Sequence, residues 1–362
     1  MRAKFDFIKK AVDVESMPKS KYDVITVLFI TTNKCSHECV FCIEDSPNRD
    51  LKELNTEEFL RTIDQISELG TREIIFSGGE PLLRDDFKQI IKRAKDNGMR
   101  AIICTNGYYI DEEMAEFFED VKLDAIQISV NALGEELYNK LCNPPEDGYR
   151  KMLESIDLVR RKYSGRIILS AVPLKTNRHV LKDMLRLCKE KKCERFALFK
   201  PAMVGRADKN KGMILTEEEY IEVLDELIQE FKKLGGLEVF IEQPYAKFSS
   251  FAERYRDLLK FRYYCTAGTH YFSVTSDGFI VPCASMSHMK EFYMGNVRQE
   301  SLRQIWENDE RWKVFRTDKE CKDCEYFKEC KGGCKLMSYL ATGNVLAKDP
   351  LCKFWIGDPS KT

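Results

Sequence analysis

The chain has 362 residues, 43% of them hydrophobic and 32% charged, with a formal net charge of −1. That length suits one large domain with a smaller one appended, and the near-neutral balance gives no electrostatic reason to expect nucleic acid or an anionic membrane as a partner. No run approaches the roughly 18 consecutive apolar residues of a membrane span, and the opening MRAKFDFIKKAVDVES lacks a signal-peptide core, so the expectation is a cytoplasmic protein.

Residues 1–23 read as an N-terminal extension. From residue 24 to 240 short apolar runs alternate with amphipathic stretches, and strands are expected at Val24–Thr31, Glu73–Ser77, Arg100–Thr105, Ala125–Val130, Arg166–Val172 and Arg195–Lys200. Asn55 with Glu58 reads as a capping box, followed by Phe59, Leu60, Ile63, Ile66 and Leu69 on one helix face and closed by Gly70. Thr216 with Glu219 opens another helix, which stops at Gly235-Gly236. Six β–α units in succession imply α/β architecture, a parallel sheet curled into a partial or full barrel. In such sheets the active site lies at the carboxyl ends of the strands. Residues 241–362 form a second unit in which regular alternation fades and Gly, aromatic and Cys residues take over. No Gly-, Ser- or Pro-rich linker separates the halves, so the tail is expected to pack on the barrel.

Fourteen cysteines is a high count, and ten of them fall in tight spacings that favour metal ligation over disulfides. Cys104, Cys142, Cys188 and Cys193 lie outside those spacings and read as small buried hydrophobes. Cys35, Cys39 and Cys42 form a C-x3-C-x2-C array directly after the first strand. Three such thiolates can hold three irons of a 4Fe–4S cube and leave the fourth iron open, whereas structural zinc usually takes four protein ligands. FSGGEP closes the second strand, where Gly78 and Gly79 allow a close backbone approach that a Cβ would prevent.

The cysteine triplet together with FSGGEP resembles the radical S-adenosylmethionine (radical SAM) superfamily. The resemblance implies a partial (β/α)6 TIM-like barrel in which the open iron chelates S-adenosylmethionine, making Cys35, Cys39 and Cys42 the catalytic centre. It implies that Phe41 lies near the adenine, that Glu80 accepts from the cofactor's ammonium group and that Pro81 fixes the turn. Thr105, Asn106, Ser129 and Asn131 would line the ribose and methionine, and Gly205 would lie near the adenine. Where many relatives carry an arginine facing the cofactor carboxylate, this chain has Cys142; Lys140 is the candidate cation, with a plain surface lysine as the alternative. Reductive cleavage of the sulfonium would yield methionine and a 5′-deoxyadenosyl radical, with reduced flavodoxin or ferredoxin as electron donor.

In the tail, Cys265-x12-Gly278-x4-Cys283, then Cys321-x2-Cys324-x5-Cys330-x3-Cys334, then Cys352 resembles the SPASM extension with its two auxiliary 4Fe–4S clusters. By that pattern Cys321, Cys324, Cys330 and Cys352 hold the cluster farther from the barrel, and Cys265, Cys283 and Cys334 the nearer one. AERYRDLLKFRYY, before Cys265, offers no cysteine as a fourth ligand, so another side chain ligates or that iron is open to substrate. A pair of zinc knuckles is the alternative reading of these spacings.

The tail favours a peptide maturase that abstracts hydrogen and leaves a thioether, a carbon–carbon crosslink or another oxidised product. Only 34 residues precede Cys35, too few for the recruiting domain many such enzymes carry, so the peptide binds the barrel directly or arrives on a separate carrier protein. Sulfatase maturation fits less well, because Ala284 follows Cys283 where that subfamily has a base aspartate. A cofactor, tetrapyrrole or aminoglycoside-type small molecule is the alternative substrate. A non-enzymatic iron–sulfur carrier would leave GGEP unused. Of the polar residues, His37 reads as a cluster-tuning or solvated loop histidine, His270 as an acid, a base or the missing ligand, and Asp277 as a turn former.

Overall fold

The computed structural model describes residues 23–242, 265–325, 327–350 and 352. The extension read at 1–23 and the stretch before Cys265 searched for a fourth ligand fall almost wholly outside these residues.

The β–α alternation forms as expected. In chain order come β1 (Thr26–Ile30), α1 (Thr56–Glu68), β2 (Glu73–Ser77), α2 (Phe87–Asp96), β3 (Arg100–Thr105), α3 (Glu112–Asp120) and β4 (Ala125–Ser129). Then follow α4 (Glu135–Cys142), α5 (Gly148–Lys162), β5 (Arg166–Ala171), α6 (Leu181–Glu190), β6 (Arg195–Phe199), the single turn α7 (Arg206–Lys209), α8 (Glu217–Leu234) and β7 (Glu238–Glu242). Both capping boxes are made: Asn55 accepts from Glu58 N and Thr216 from Glu219 N, while each glutamate reaches back to its cap's backbone. Gly70 takes φ +80° just past α1, the left-handed geometry that ends a helix cheaply only with glycine.

The tail does more than pack on the barrel. β8 (Tyr271–Val274) pairs parallel to β1, with Thr26 opposite Tyr271 and Phe29 opposite Val274. β9 (Phe279–Val281) and β10 (Gly295–Asn296) then add antiparallel, giving one ten-stranded sheet in the order β10-β9-β8-β1-β2-β3-β4-β5-β6-β7. Two features escaped the sequence pattern. A seventh parallel strand, β7, pairs with β6, and β8 continues the sheet past β1. β8 has only four residues, too few for a clear period-2 signal. Beyond the sheet lie α9 (Leu302–Glu307), α10 (Asp309–Arg316), α11 (Phe327–Cys330) and α12 (Lys335–Thr342).

Alternation along the strands sorts two faces. Phe29, Phe76, Ile103, Ile126 and Ile128 face the helices in the main core, where Phe29 stacks on Phe59 of α1 with ring centroids 3.8 Å apart. A separate small cluster of Ala125, Ile168 and Ala197, with Ile102, Phe199 and Phe240 against it, fills the inner face. Two and four residues farther along these strands the same inner face turns polar, with Cys104 opposite Gln127 and Ser129 opposite Ser170. Arg298 ties tail to barrel, donating to the Glu58 carboxylate at 2.7 and 2.9 Å and to the carbonyls of Lys52, Asp277 and Glu53 at 3.0, 3.1 and 2.9 Å.

Candidate active site

The carboxyl ends of β1, β2 and β3 meet around the cysteine triplet. Backbone bonds fasten the β2 turn to the cysteine loop: Thr31 N to Ser77 O at 2.7 Å, Gly79 N to Thr32 O at 2.8 Å and Glu80 N to Lys34 O at 2.8 Å. This contact is what the two glycines permit. A Cβ on Gly79 would sit 2.1 Å from Lys34 O, and one on Gly78, at φ +125°, would sit 2.7 Å from Thr32 O. The close approach is thus to the protein's own cysteine loop, where the sequence reading looked for a ligand.

Glu80 is fully buried. Its Oε1 accepts from Thr105 Oγ1 at 2.8 Å and Leu82 N at 3.2 Å, and its Oε2 from Asn106 N at 2.8 Å. Thr105 and Asn106 therefore orient the carboxylate, and Oε2 keeps a lone pair for one further donor. Burial pushes the Glu80 carboxyl up to about 7, opposed by those bonds. Pro81 is buried at the start of the turn that follows. Glu80 acts electrostatically on Cys35, as do Cys39 and Cys42, so GGEP and the triplet share one site.

The loop is held from below by His37 and Cys142. His37 is buried, and burial lowers its imidazole to about 4, leaving it neutral. Its Nδ1 faces two donors, Ser36 Oγ at 2.9 Å and Asn106 Nδ2 at 3.1 Å, which assigns the proton to Nε2, 3.2 Å from Tyr138 Oη. His37 N also donates to Cys35 Sγ at 3.4 Å. It is a wedge under the triplet and not a solvated loop residue. Cys142, read as bland, lies against the site: its thiol is the leading influence raising Cys39, ahead of burial. The backbone agrees, since Glu38 N and Val40 N donate to Cys142 O and Leu141 O at 3.0 and 2.9 Å. Phe41 is half-buried between Cys39 and Cys42, against the main core.

A strap after β6 closes the other side. Gly205, at φ +59°, brings its backbone so near that a Cβ would meet Cys42 O and Ile43 O, each at 2.6 Å. Arg206 N donates to Cys42 O at 2.9 Å, and its guanidinium reaches Cys39 O at 2.8 Å, Asp45 Oδ1 at 2.9 Å and Ser46 O at 2.6 Å. Asn210 Nδ2 adds a bond to Val40 O at 3.0 Å. A Gly-Arg pair after a strand is common in turns, so this clamp could not be told from an ordinary turn by sequence.

The remaining cofactor candidates divide. Ser129 is half-buried at the end of β4. Asn131 takes φ +51° and its Oδ1 accepts from Val172 N at 3.0 Å, while buried Asn177 donates to Asn131 O. Much of its polar capacity thus goes to joining the β4 and β5 ends. Lys140 is exposed on α4, on the side away from buried Tyr138 and Cys142, and is not brought to the triplet. His270 sits at the amino end of β1, where Nδ1 donates to Asp23 O at 2.9 Å, remote from the cysteine loop. Asp277 is a turn former, accepting from Thr275 Oγ1 at 2.6 Å before Gly278 at φ +89°.

The tail cysteines fall into two neighbourhoods. Cys334 is raised first by burial, then by Cys265, with Cys283 also acting on it. Cys330 is raised first by burial and feels Cys352 and Cys324, and Cys321 feels Cys330 and Cys352. None of the ten clustered cysteines forms a disulfide among the described residues. Between tail and barrel, buried Glu44, two residues past Cys42, accepts from Ser287 Oγ at 2.8 Å. Arg49 donates to Ser287 O at 3.4 Å, so the loop after Cys283 is bonded to the loop after Cys42.

The donor set suits iron–sulfur clusters: soft thiols outside any disulfide, three of them on one short loop, and a carboxylate with spare acceptor capacity beside them. The radical SAM superfamily model matches residues 29–188, and the SPASM iron-sulfur cluster-binding domain model matches residues 265–335. The protein belongs to the radical SAM superfamily and is an enzyme whose tail is a SPASM domain; that membership implies S-adenosylmethionine and 4Fe–4S clusters as its cofactors. Among its relatives are the AdoMet-dependent heme synthase of Methanosarcina barkeri, 28% identical over 89% of this chain and 94% of that one, and the PqqA peptide cyclase of Bradyrhizobium diazoefficiens, 25% identical over 91% and 86%. The crystal structure of Streptococcus suis SuiB bound to S-adenosylmethionine shares the fold at TM-score 0.75 and 18% identity, covering 95% of this chain and 80% of that one. No helix among the described residues is long and apolar enough to cross a membrane.

Proposed function

We propose that this enzyme modifies a peptide, carrying three 4Fe–4S clusters: one on Cys35, Cys39 and Cys42, and two auxiliary clusters in the tail. When bound, S-adenosylmethionine supplies the 5′-deoxyadenosyl radical that abstracts a substrate hydrogen. The chain's own residues position and shield. Glu80, oriented by Thr105 and Asn106, offers its remaining lone pair to the cofactor ammonium. Tyr138 and His37 support the triplet from below, and the Gly205-Arg206 strap covers Cys39 and Cys42.

The observation that carries this reading is the bonding of the Cys42–Glu44 loop to the Cys283–Ser287 loop. It holds the first cluster's loop to the auxiliary ligands, as suits a net oxidation whose surplus electron passes to an auxiliary cluster. Cys265, Cys283 and Cys334 are the three ligands proposed for the nearer cluster, whose fourth position is open or filled by a non-cysteine group. Likeness to the PqqA peptide cyclase along most of both chains favours a peptide. The heme synthase likeness keeps a tetrapyrrole or other small molecule as the second reading. A low-potential flavodoxin or ferredoxin is the proposed reductant.

The test is 5′-deoxyadenosine formation by the reconstituted, reduced enzyme fed fractions of host extract. Stimulation abolished by protease treatment of the fraction is the expected result. Stimulation that survives protease and passes a small-molecule filter replaces the peptide reading with the metabolite one.

A further inference from the structure

Two lysines lie in the tail interior, Lys319 at 1% exposure and Lys335 at 6%. Their bonds differ in kind. Lys335 Nζ donates to the carbonyls of Val314 and Thr317 at 3.0 and 3.2 Å, capping the end of α10 as a basic side chain does on many helices. Lys319 has no helix end to serve. Its Nζ donates to Gly332 O at 2.9 Å and Cys334 O at 3.2 Å on one turn and to Ser338 Oγ at 2.5 Å on α12, so all three donors of the ammonium are used.

That turn joins Cys330 to Cys334, where the chain passes from one set of auxiliary ligands to the other. It is wrapped on both sides. A Cβ on Gly332, at φ +81°, would meet Lys319 Cδ at 2.3 Å, and one on Gly333, at φ +80°, would meet Asp349 Oδ2 at 2.5 Å. Asp349, 1% exposed, also accepts from Cys334 N at 2.7 Å. Burial lowers the Lys319 ammonium, and Asp349, then Cys265, Cys334 and Cys321, drawn from both cysteine neighbourhoods, act against it. Tying a turn needs no charge; a neutral amide would donate to the same carbonyls at a far smaller desolvation cost.

We propose that Lys319 is the shared counter-charge of the two auxiliary clusters and sets both reduction potentials upward. This rests on the reading that the tail cysteines hold two clusters. Reduction adds an electron to a cluster, and a fixed positive charge in a buried, low-dielectric setting stabilises the reduced form more than the oxidised one. Lys319 acts through the clusters and touches no substrate, so it is a potential-setting residue. Asp349, of opposite sign and equally buried, works against it.

The experiment is a redox titration followed by electron paramagnetic resonance, with iron content, on the reconstituted full-length enzyme. Lys319→Gln, which keeps N–H donors and drops the charge, is expected to lower the auxiliary midpoints while the signal of the Cys35, Cys39 and Cys42 cluster stays put. Lys319→Arg is expected to track the wild type, and Asp349→Asn, which keeps an acceptor for Cys334 N, to raise the auxiliary midpoints. Full iron loading with unmoved midpoints in Lys319→Gln, or equal shifts in the Gln and Arg variants, overturns the proposal. If Lys319→Gln does not load iron, Asp349→Asn decides: an upward shift supports the counter-charge pair and no shift sinks it. Wild-type iron sufficient for the first cluster alone overturns the three-cluster reading and this assignment with it.

Discussion

The barrel and the tail solve the same problem, holding iron beside a reaction site, by different means. In the barrel, strands of five or six residues pack Phe29, Phe76, Ile103 and Ile126 against helices, and the cysteine loop is laid over that apolar frame. The described tail has strands of four, three and two residues, buries Lys319, Lys335 and Asp349, and turns on Gly332 and Gly333. The tail joins the main core through Phe272, Ile305, Trp312 and Phe315, and adds to it buried charges whose order rests on polar bonds.

Removing the iron should break this comparison most visibly. On chelation, amide exchange is expected to rise by orders of magnitude across residues 309–350 while β2 to β5 keep their protection. Equal loss in both halves would mean the barrel also depends on its cluster. Next in size is Gly79→Ala, whose Cβ would lie 2.1 Å from Lys34 O, a backbone atom that cannot yield. A cost of about 3–5 kcal/mol is expected, seen as loss of the first cluster and of 5′-deoxyadenosine formation with the auxiliary signals retained.

Arg298→Ala sharpens the boundary. It removes the bonds from the tail to Lys52, Glu53 and Glu58, and about 2–4 kcal/mol should be lost in thermal or denaturant unfolding. The same pair predicts a pH signature. The hydrogen bond from Arg298, followed by opposing burial and by the Asn55 backbone bond, holds the Glu58 carboxyl at about 2, below its ordinary 4.5. A depressed folded value means that the stabilisation is complete above about 4.5 and is lost as pH falls toward about 2. Acid unfolding of the iron-free chain should lose that contribution in Arg298→Ala, and an unchanged acid limb would count against the clamp. The smallest effect is expected from Lys140→Ala. An exposed residue off the site should change stability by less than about 0.5 kcal/mol and leave S-adenosylmethionine affinity unmoved; a marked rise in Kd would return Lys140 to the cofactor carboxylate.

Much of the barrel was legible because its signals are local. Capping boxes at Asn55 and Thr216, apolar alternation in β1 to β6 and the glycine stop at Gly70 depend on residues a few positions apart. The cysteine spacings and FSGGEP were legible for the same reason: chelation and a tight turn restrict neighbours in sequence. β8 was invisible because a four-residue strand gains its meaning only from β1, more than two hundred residues upstream. Cys142 under Cys39 and Arg206 over Cys42 were missed in the same way, since each acts across the chain on a loop it does not adjoin.

The amino-acid sequence by itself determined the alternating scaffold, the ligand-bearing motifs and the class of chemistry they serve, because periodicity and chelate spacing are properties of short stretches. Only the tertiary structure decided that Gly78, Gly79 and Gly205 make room for the cysteine loop itself, that Glu80 is held by Thr105 and Asn106, and that Lys319 stands among thiols from both ends of the tail. Burial and electrostatics depend on which distant segments share a volume, and no local pattern encodes that.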